Sequence, residues 1–330
     1  MSPTTVGGLT LKWSFTAAAG FYGSPTVANG IEYVGSDDMN FYALDANTGA
    51  KVWSYLTGGQ ARSSAAVVNG VVYVGSDDFH LYAFNATTGA NIWTFTAGDG
   101  FYSSPTVVNG IVYAGSEDNN LYAVNAATGA LVWQFTTGNS IKYSSPAVVN
   151  GVVYVGSWDH NVYALNAATG SKLWSFATGN TIESSPAVVN GVVYVGSRDG
   201  NMYALKAATG AKLWSFAAKD ILSSPAVNNG VVYFGADDFN VYALNAATGA
   251  KLWNFRTGNV IHGSPAIANG VLYIGSYDGK MYALDAGTGA ELWSFKTGKA
   301  VLSAPAVLNG VVYGASEDFS AYAFDLPSSH

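Results

Sequence analysis

Apolar residues along this chain do not alternate evenly; they gather in short blocks that return about every 40 positions. Within one repeat, a continuously apolar run such as Val71-Val72-Tyr73-Val74 follows an Asn-Gly pair, here Asn69-Gly70. Asn-Gly between two Val-rich runs is the strongest short-range hairpin signal, because both residues tolerate the positive φ of a type I′ turn. A second turn surrounds the aspartate of G-S-x-D, and a third is A-x-T-G, as in Ala46-Asn47-Thr48-Gly49. Each repeat therefore predicts four short antiparallel strands of roughly five to seven residues. A strand that is apolar without alternation has both faces covered. Four-stranded sheets buried on both sides and repeated in this way are the blades of a β-propeller.

Tryptophan marks the period: Trp13, Trp53, Trp93, Trp133, Trp174, Trp214, Trp253 and Trp293 are spaced by 39 to 41 residues. The predicted blades span about 21–57, 61–97, 101–137, 141–178, 182–218, 221–257, 261–297 and 301–325. The last has only three strands, and the N-terminus supplies a lone fourth, Leu9 to Phe15, within 9–16. Pairing the two completes an eighth blade and removes open sheet edges. The predicted fold class is thus all-β: one domain, 1–330, an eight-bladed propeller closed by its own ends.

Composition narrows the function. Hydrophobic residues make up 49% of the chain and charged residues 11%, which excludes a disordered chain. A net charge of −7 with 14 Lys and Arg argues against nucleic acid as a partner. The absence of cysteine excludes disulfides, thiolate nucleophiles and cysteine-ligated metals. No apolar run approaches a membrane span, and the opening MSPTTVGGLT has no signal-peptide pattern.

The run from Ala43 to Trp53, ALDANTGAKVW, resembles the tryptophan-docking motif of the pyrroloquinoline quinone (PQQ)-like propeller family. Seven uninterrupted copies occur, and the eighth is split between Ala323-Phe324-Asp325 and Trp13. The resemblance implies an eight-bladed ring in which the Ala, Gly and Trp of each motif, including all eight tryptophans above, lock neighbouring blades. Lys206 replaces the Asp or Asn found third in the other copies, so one turn contact is expected to loosen. The family holds quinoprotein alcohol dehydrogenases and non-catalytic relatives, among them a lipoprotein that helps assemble outer-membrane proteins. The dehydrogenases are much longer and carry adjacent cysteines and calcium-ligating insertions, none of which is visible here. The resemblance therefore implies a non-dehydrogenase member, largely extracytoplasmic in its family.

Near-identical repeats act as an internal control, because a residue needed for folding recurs in every blade. With strands labelled A to D outward from the axis, the A–B and C–D turns share one face, which is nearly uniform. The B–C turns and D–A connections share the other, which carries almost all the variation. Just before S-S-P or its variants lie Tyr22, Arg62, Tyr102, Tyr143, Glu183, Leu222, His262 and Leu302, with Phe21, Phe101 and Lys142 one position earlier. These are expected at the mouth of the central channel. The B–C turns add Trp158 and Tyr277 farther out, together with Asp37, Asp77, Glu117, Arg198, Asp237 and Glu317. The candidate ligand-binding set is Tyr22, Arg62, Tyr102, Lys142, Tyr143, Glu183, His262, Trp158 and Tyr277, which offers stacking surfaces and charged hydrogen bonds. Neutral drift between duplicated blades would produce the same heterogeneity, because loops vary as well as carry function.

Catalytic chemistry finds little footing. The repeated aspartates read as acceptors of their own turn's N–H groups rather than as calcium ligands. His80, His160 and His262 belong to three separate blades, and His330 ends the chain, so no metal site is expected. The S-S-P serines repeat with the fold, and no second carboxylate is expected beside Glu183 and His262. No catalytic residue and no cofactor are predicted; PQQ with calcium is the cofactor that the resemblance would bring. The expected function is a monomeric binding or scaffold propeller that contacts a protein segment or small polar ligand through its variable face. The alternatives are a PQQ- or carbohydrate-directed enzyme using the same funnel, or a recently amplified or designed repeat with no evolved ligand.

Overall fold

The computed structural model describes residues 1–327; His330 and the serines before it lie outside them. Eight four-stranded antiparallel sheets form, seven from consecutive strands and the eighth from the two chain ends. In blade 2 the strands are A (Ala66–Val68), B (Val71–Gly75), C (His80–Asn85) and D (Asn91–Thr96). Strand A has three residues rather than the expected five to seven, and it is equally short here, where Ala65 precedes it, and in the blades where proline does. All eight Asn-Gly pairs adopt positive φ at both residues, 48–51° at Asn and 76–80° at Gly.

Ring closure follows the predicted route. Thr10–Thr16 pairs antiparallel with Ser320–Asp325, from Thr10 opposite Asp325 to Thr16 opposite Ser320. The strand begins one residue later than expected because Leu9 has another task. Its carbonyl accepts the Trp293 indole N–H at 3.1 Å, in place of an alanine carbonyl. No helix among the described residues is long and apolar enough to cross a membrane.

The repeated motif explains how blades hold one another. The Trp53 indole N–H donates across the seam to the carbonyl of Ala86 at 3.0 Å, and the Tyr33 hydroxyl donates to the same oxygen at 3.0 Å. The pattern recurs around the ring, up to Trp13 and Tyr313, which both reach the carbonyl of Ala46 at 3.1 Å. The motif glycine completes the dock. Gly49 has φ +73°, and a Cβ there would lie 2.6 Å from the Trp13 ring. Between adjacent blades the cores are separate apolar clusters, each filled from both sides, such as Tyr33, Phe41 and Trp53 against Val72, Val74 and Phe84.

The repeated aspartate also reaches further than its own turn. Asp78 accepts the His80 N–H at 3.2 Å, the Tyr82 hydroxyl at 2.6 Å and the Gly58 N–H of the preceding D–A connection at 2.6 Å. At Lys206 the expected loosening is visible. Asn166 Oδ1 accepts the N–H groups of Ala168 and Thr169 at 2.9 and 3.1 Å, whereas the Lys206 side chain accepts neither and its carbonyl keeps the backbone bonds from Thr209 and Gly210 at 3.1 and 2.8 Å.

One buried group breaks the apolar rule. Glu32 stands where the other blades carry Val72, Val112 or an equivalent aliphatic, and it is fully buried with neither carboxyl oxygen hydrogen-bonded. Tyr33 points into the seam with blade 2, so Glu32 points to the opposite face, into the closing seam with blade 8 near Tyr313. Burial alone raises its pKa well above the ordinary 4.5. The folded chain therefore keeps a proton that the unfolded chain releases above about pH 4.5. Stability is full below that pH and falls as pH rises toward the folded value. Glu32→Val should stabilise the protein by roughly 1–3 kcal/mol, with a gain in melting temperature that widens between about pH 5 and pH 8. Parallel melting profiles for the two proteins across that range would contradict the assignment.

Candidate functional site

Strand A of every blade begins at the channel, and the second serine of S-S-P forms its neck. The Ser24 N–H donates to Ser64 Oγ at 2.9 Å, the Ser64 N–H to Ser104 Oγ at 2.9 Å, and so on blade by blade to Ser264. The Ala304 N–H closes onto Ser24 at 2.9 Å, but Ala304 has no hydroxyl to answer Ser264. The first serines are buried and staple strand A to strand B, as Ser63 Oγ does by accepting the Gly75 N–H at 3.1 Å. The sequence reading set these serines aside as repeats; the second of each pair also lines the cavity.

Above the neck lies a concavity of about 380 Å³ lined by residues from every blade. Tyr22, Arg62, Tyr102, Tyr143, Glu183, His262 and Tyr277 all face it. Lys142 and Trp158 face an adjoining notch that shares Tyr143, Glu183 and Arg198. The structure thus brings the nine candidates together on one face. Phe21 and Phe101 are a correction. They were expected at the mouth, yet both are buried between blades, packed near Tyr42 and Tyr122.

The extra residue of blade 4 is Tyr143. Ile141 occupies the buried position of Phe101, since the N–H of each bonds the carbonyl of a serine 25 residues before, Ser116 and Ser76. Lys142 therefore takes the rim position of Arg62 and Tyr102, and Tyr143 is the insertion, exposed toward the channel and edge-on to Tyr102 at 5.6 Å.

That register shows a rule that spacing alone did not reveal. A B–C turn acid of one blade holds the rim residue of the next, 25 positions later. Arg62 makes a bidentate pair with Asp37, Nε to Oδ1 at 2.8 Å and an amino nitrogen to Oδ2 at 2.7 Å. Lys142 lies 2.5 Å from Glu117 Oε1, and His262 Nε2 lies 3.0 Å from Asp237 Oδ1. Asp237 is the second carboxylate that the sequence reading did not expect beside His262. Burial, and then the facing Glu317 and Asp77 carboxylates, push the Tyr22 and Tyr102 hydroxyls up.

One partnership runs the other way. Arg198 Nε lies 2.8 Å from Glu183 Oε1 within blade 5, an ion pair whose N–H is not aligned as a hydrogen bond. Burial raises the Glu183 carboxyl, and Arg198, His262 and Lys142 offset only part of that. Arg198 was not among the candidate binding residues, although its turn position was legible. Tyr277, edge-on to His262 at 4.6 Å, is pushed up to about 12 by burial and by the surrounding carboxylates.

Cations and rings interleave along one half of the mouth. The Arg62 guanidinium lies 4.4 Å from the Tyr22 ring centre and 5.6 Å from that of Tyr102, and the Lys142 ammonium 4.7 Å from Tyr102 and 5.4 Å from Trp158. Asp37, Glu117, Glu183 and Asp237 thus already stand against Arg62, Lys142, Arg198 and His262. Among the described residues, no three His, Asp or Glu side chains gather as metal ligands.

Four overlapping stretches, residues 10–68, 60–181, 158–262 and 237–328, match the repeat family described as outer membrane protein assembly factor BamB. The chain belongs to this BamB-type family. Among solved structures, BamB from Moraxella catarrhalis superposes with a TM-score of 0.83 at 20% identity, over 96% of this chain and 99% of that one. The computationally designed Ika8 protein gives 0.84 at 18% identity, over 94% and 97%. Quinohemoprotein alcohol dehydrogenase from Comamonas testosteroni gives 0.85 at 17% identity, over all of this chain and 78% of that one. At such identities the likeness is one of fold. No curated protein matches the chain.

The cross-blade rule is testable in this BamB-type ring. A double-mutant cycle between Asp37→Ala and Arg62→Ala should give a coupling of about 1 kcal/mol or more in unfolding free energy. The cycle between Asp37→Ala and Lys142→Ala should be additive within about 0.5 kcal/mol. Equal couplings in the two cycles would show that the pairs do not act seam by seam.

Proposed function

We propose that this BamB-type propeller is a non-catalytic binding module that engages a protein segment, or a small polar ligand, through the face built from its D–A connections and B–C turns. The observation that carries the reading is the contrast between faces. The docking face repeats blade after blade, whereas the blades send tyrosine, arginine, glutamate, leucine and histidine side chains into one concavity on the other face. Pre-paired cations and tyrosines give that concavity a rigid, mixed surface suited to recognition. The family description as an assembly factor supports a protein partner. An extracytoplasmic location and a monomeric state accompany this reading.

A redox enzyme fits the residues less well. PQQ carries three carboxylates and would need free cations and a calcium site. Arg62, Lys142 and Arg198 already lie against carboxylates, and the donor set provides no cluster of acids around one point.

Two measurements test the proposal. A photo-crosslinking amino acid at position 102, on the variable face, should yield partner adducts in the native host, and one at position 128, on the uniform face, should not. Equal labelling from both positions, or none from either, would contradict it. Incubation with PQQ and calcium followed by desalting should leave no quinone absorbance. Stoichiometric retention with alcohol-dependent dye reduction would establish the enzyme instead.

A further inference from the structure

The residue after the repeated aspartate lies in the left-handed region in every B–C turn. Gly200 and Gly279 fill it in blades 5 and 7, at φ +84° and +77°, so the fold requires no side chain there. Yet Phe319, Met39 and Phe79 occupy it in the consecutive blades 8, 1 and 2, at φ 68–75°. Bulky residues are strained in this conformation. All three are also exposed, by 38%, 45% and 44%. Phe239 in blade 6 stands alone, because Gly200 and Gly279 fill the turns on either side of it.

The gaps between the three are apolar as well. Leu56 is 68% exposed at a position that is Thr16, Thr96 and Thr136 in other blades. It pairs with Asn40, beside Met39, and the next residues tie it to both neighbouring turns. The Thr57 N–H donates to the Met39 carbonyl at 2.8 Å and the Gly58 N–H to Asp78 at 2.6 Å. Between Phe319 and Met39 the connection reads Ala17-Ala18-Ala19, whereas each of the other seven connections carries Gly or Lys at its second position. The Ala17 N–H bonds the Phe319 carbonyl at 2.8 Å and the Ala18 N–H bonds Asp38 at 3.1 Å. An apolar arc therefore runs over blades 8, 1 and 2 on the rim of the variable face.

Its charge setting is one-sided. The three turns carry Glu317-Asp318, Asp37-Asp38 and Asp77-Asp78. Against these six carboxylates stand Arg62, held by Asp37, and Lys299, whose ammonium lies 4.4 Å from the Phe319 ring centre.

We propose that this arc docks a polypeptide segment that presents large aliphatic or aromatic side chains beside lysine or arginine. The proposal rests on the reading that the variable face binds a protein, and adds the sector used and the chemistry recognised. Apolar side chains of the partner cover Met39, Leu56, Phe79 and Phe319, while its cations meet the net negative charge of these turns, whose carboxylates keep their internal partners.

The test uses the full chain and a variant, M39G/L56T/F79G/F319G, in which each substitution installs a residue type that other blades already use there. Its melting temperature should be no lower than that of the parent. Peptides of roughly 12 residues, selected from a random displayed library on the parent protein, should be rich in Leu, Ile, Phe or Trp together with Lys or Arg. Their affinity should fall at least about tenfold on the variant. An acidic or polar consensus, or no enrichment, overturns the proposal. Peptides that the variant keeps but a Tyr102→Ala/Lys142→Ala protein loses overturn the arc and leave the variable-face reading standing. Peptides that both variants keep overturn the two together. Co-sedimentation of the parent with phosphatidylcholine vesicles, or self-association, that the variant loses would make the occupant a lipid surface or a second copy, and either overturns it.

Discussion

A single carbonyl oxygen at each of seven seams does most to organise this ring, and the Leu9 carbonyl serves the eighth indole. The alanine that opens each A-x-T-G turn accepts both an indole N–H and a tyrosine hydroxyl from the preceding blade, as Ala86 does from Trp53 and Tyr33. Each such bond contributes about 1 kcal/mol net. The larger effect is orientation, since two convergent donors fix the angle at which one sheet packs on the next. The apolar faces of strands B and C then fill the seam, and the motif glycine leaves room for the indole face. A blade docked on one side only would leave half of its apolar surface in water. Closure is thus a condition of stability, and Thr10–Thr16 meets it by completing the sheet that the C-terminal strands begin.

Docking at the C–D turns has a consequence for the opposite face. Residues that hold the seams are the same in every blade, so the turns that carry them cannot vary freely. The B–C turns and D–A connections have lighter duties: the repeated aspartate organises them locally, and the serine belt ties them at the neck. The rim position between these two anchors is free to differ. In this chain it differs by a cross-seam code of acids and their partners, and by an inserted tyrosine that narrows one side of the mouth.

The repeat made the architecture legible because every blade states the same pattern and errors in one are corrected by seven others. Blade number, the closing strand, the positive-φ turns and the loosened turn at Lys206 could all be read in this way. The site was legible in its location but not in its wiring. Glu183 and Arg62 were visible as departures from the repeat, whereas their partners Arg198 and Asp37 lie in a different turn, and only folded distance joins them. Phe21 and Phe101 misled because an aromatic beside the mouth and one turned into the seam differ by a single residue of register. Glu32 was the opposite case. A lone carboxyl in an apolar strand was a visible signal, and its meaning depends on burial in the closing seam, which a linear pattern does not measure.

Removal of residues 1–16, followed by size-exclusion with light scattering and thermal unfolding, tests the claim of obligatory closure most directly. The account predicts that the truncated chain melts well below the intact protein and self-associates through the edge of Ser320–Asp325 left bare. A truncated chain that stays monomeric with an unchanged melting curve would contradict it.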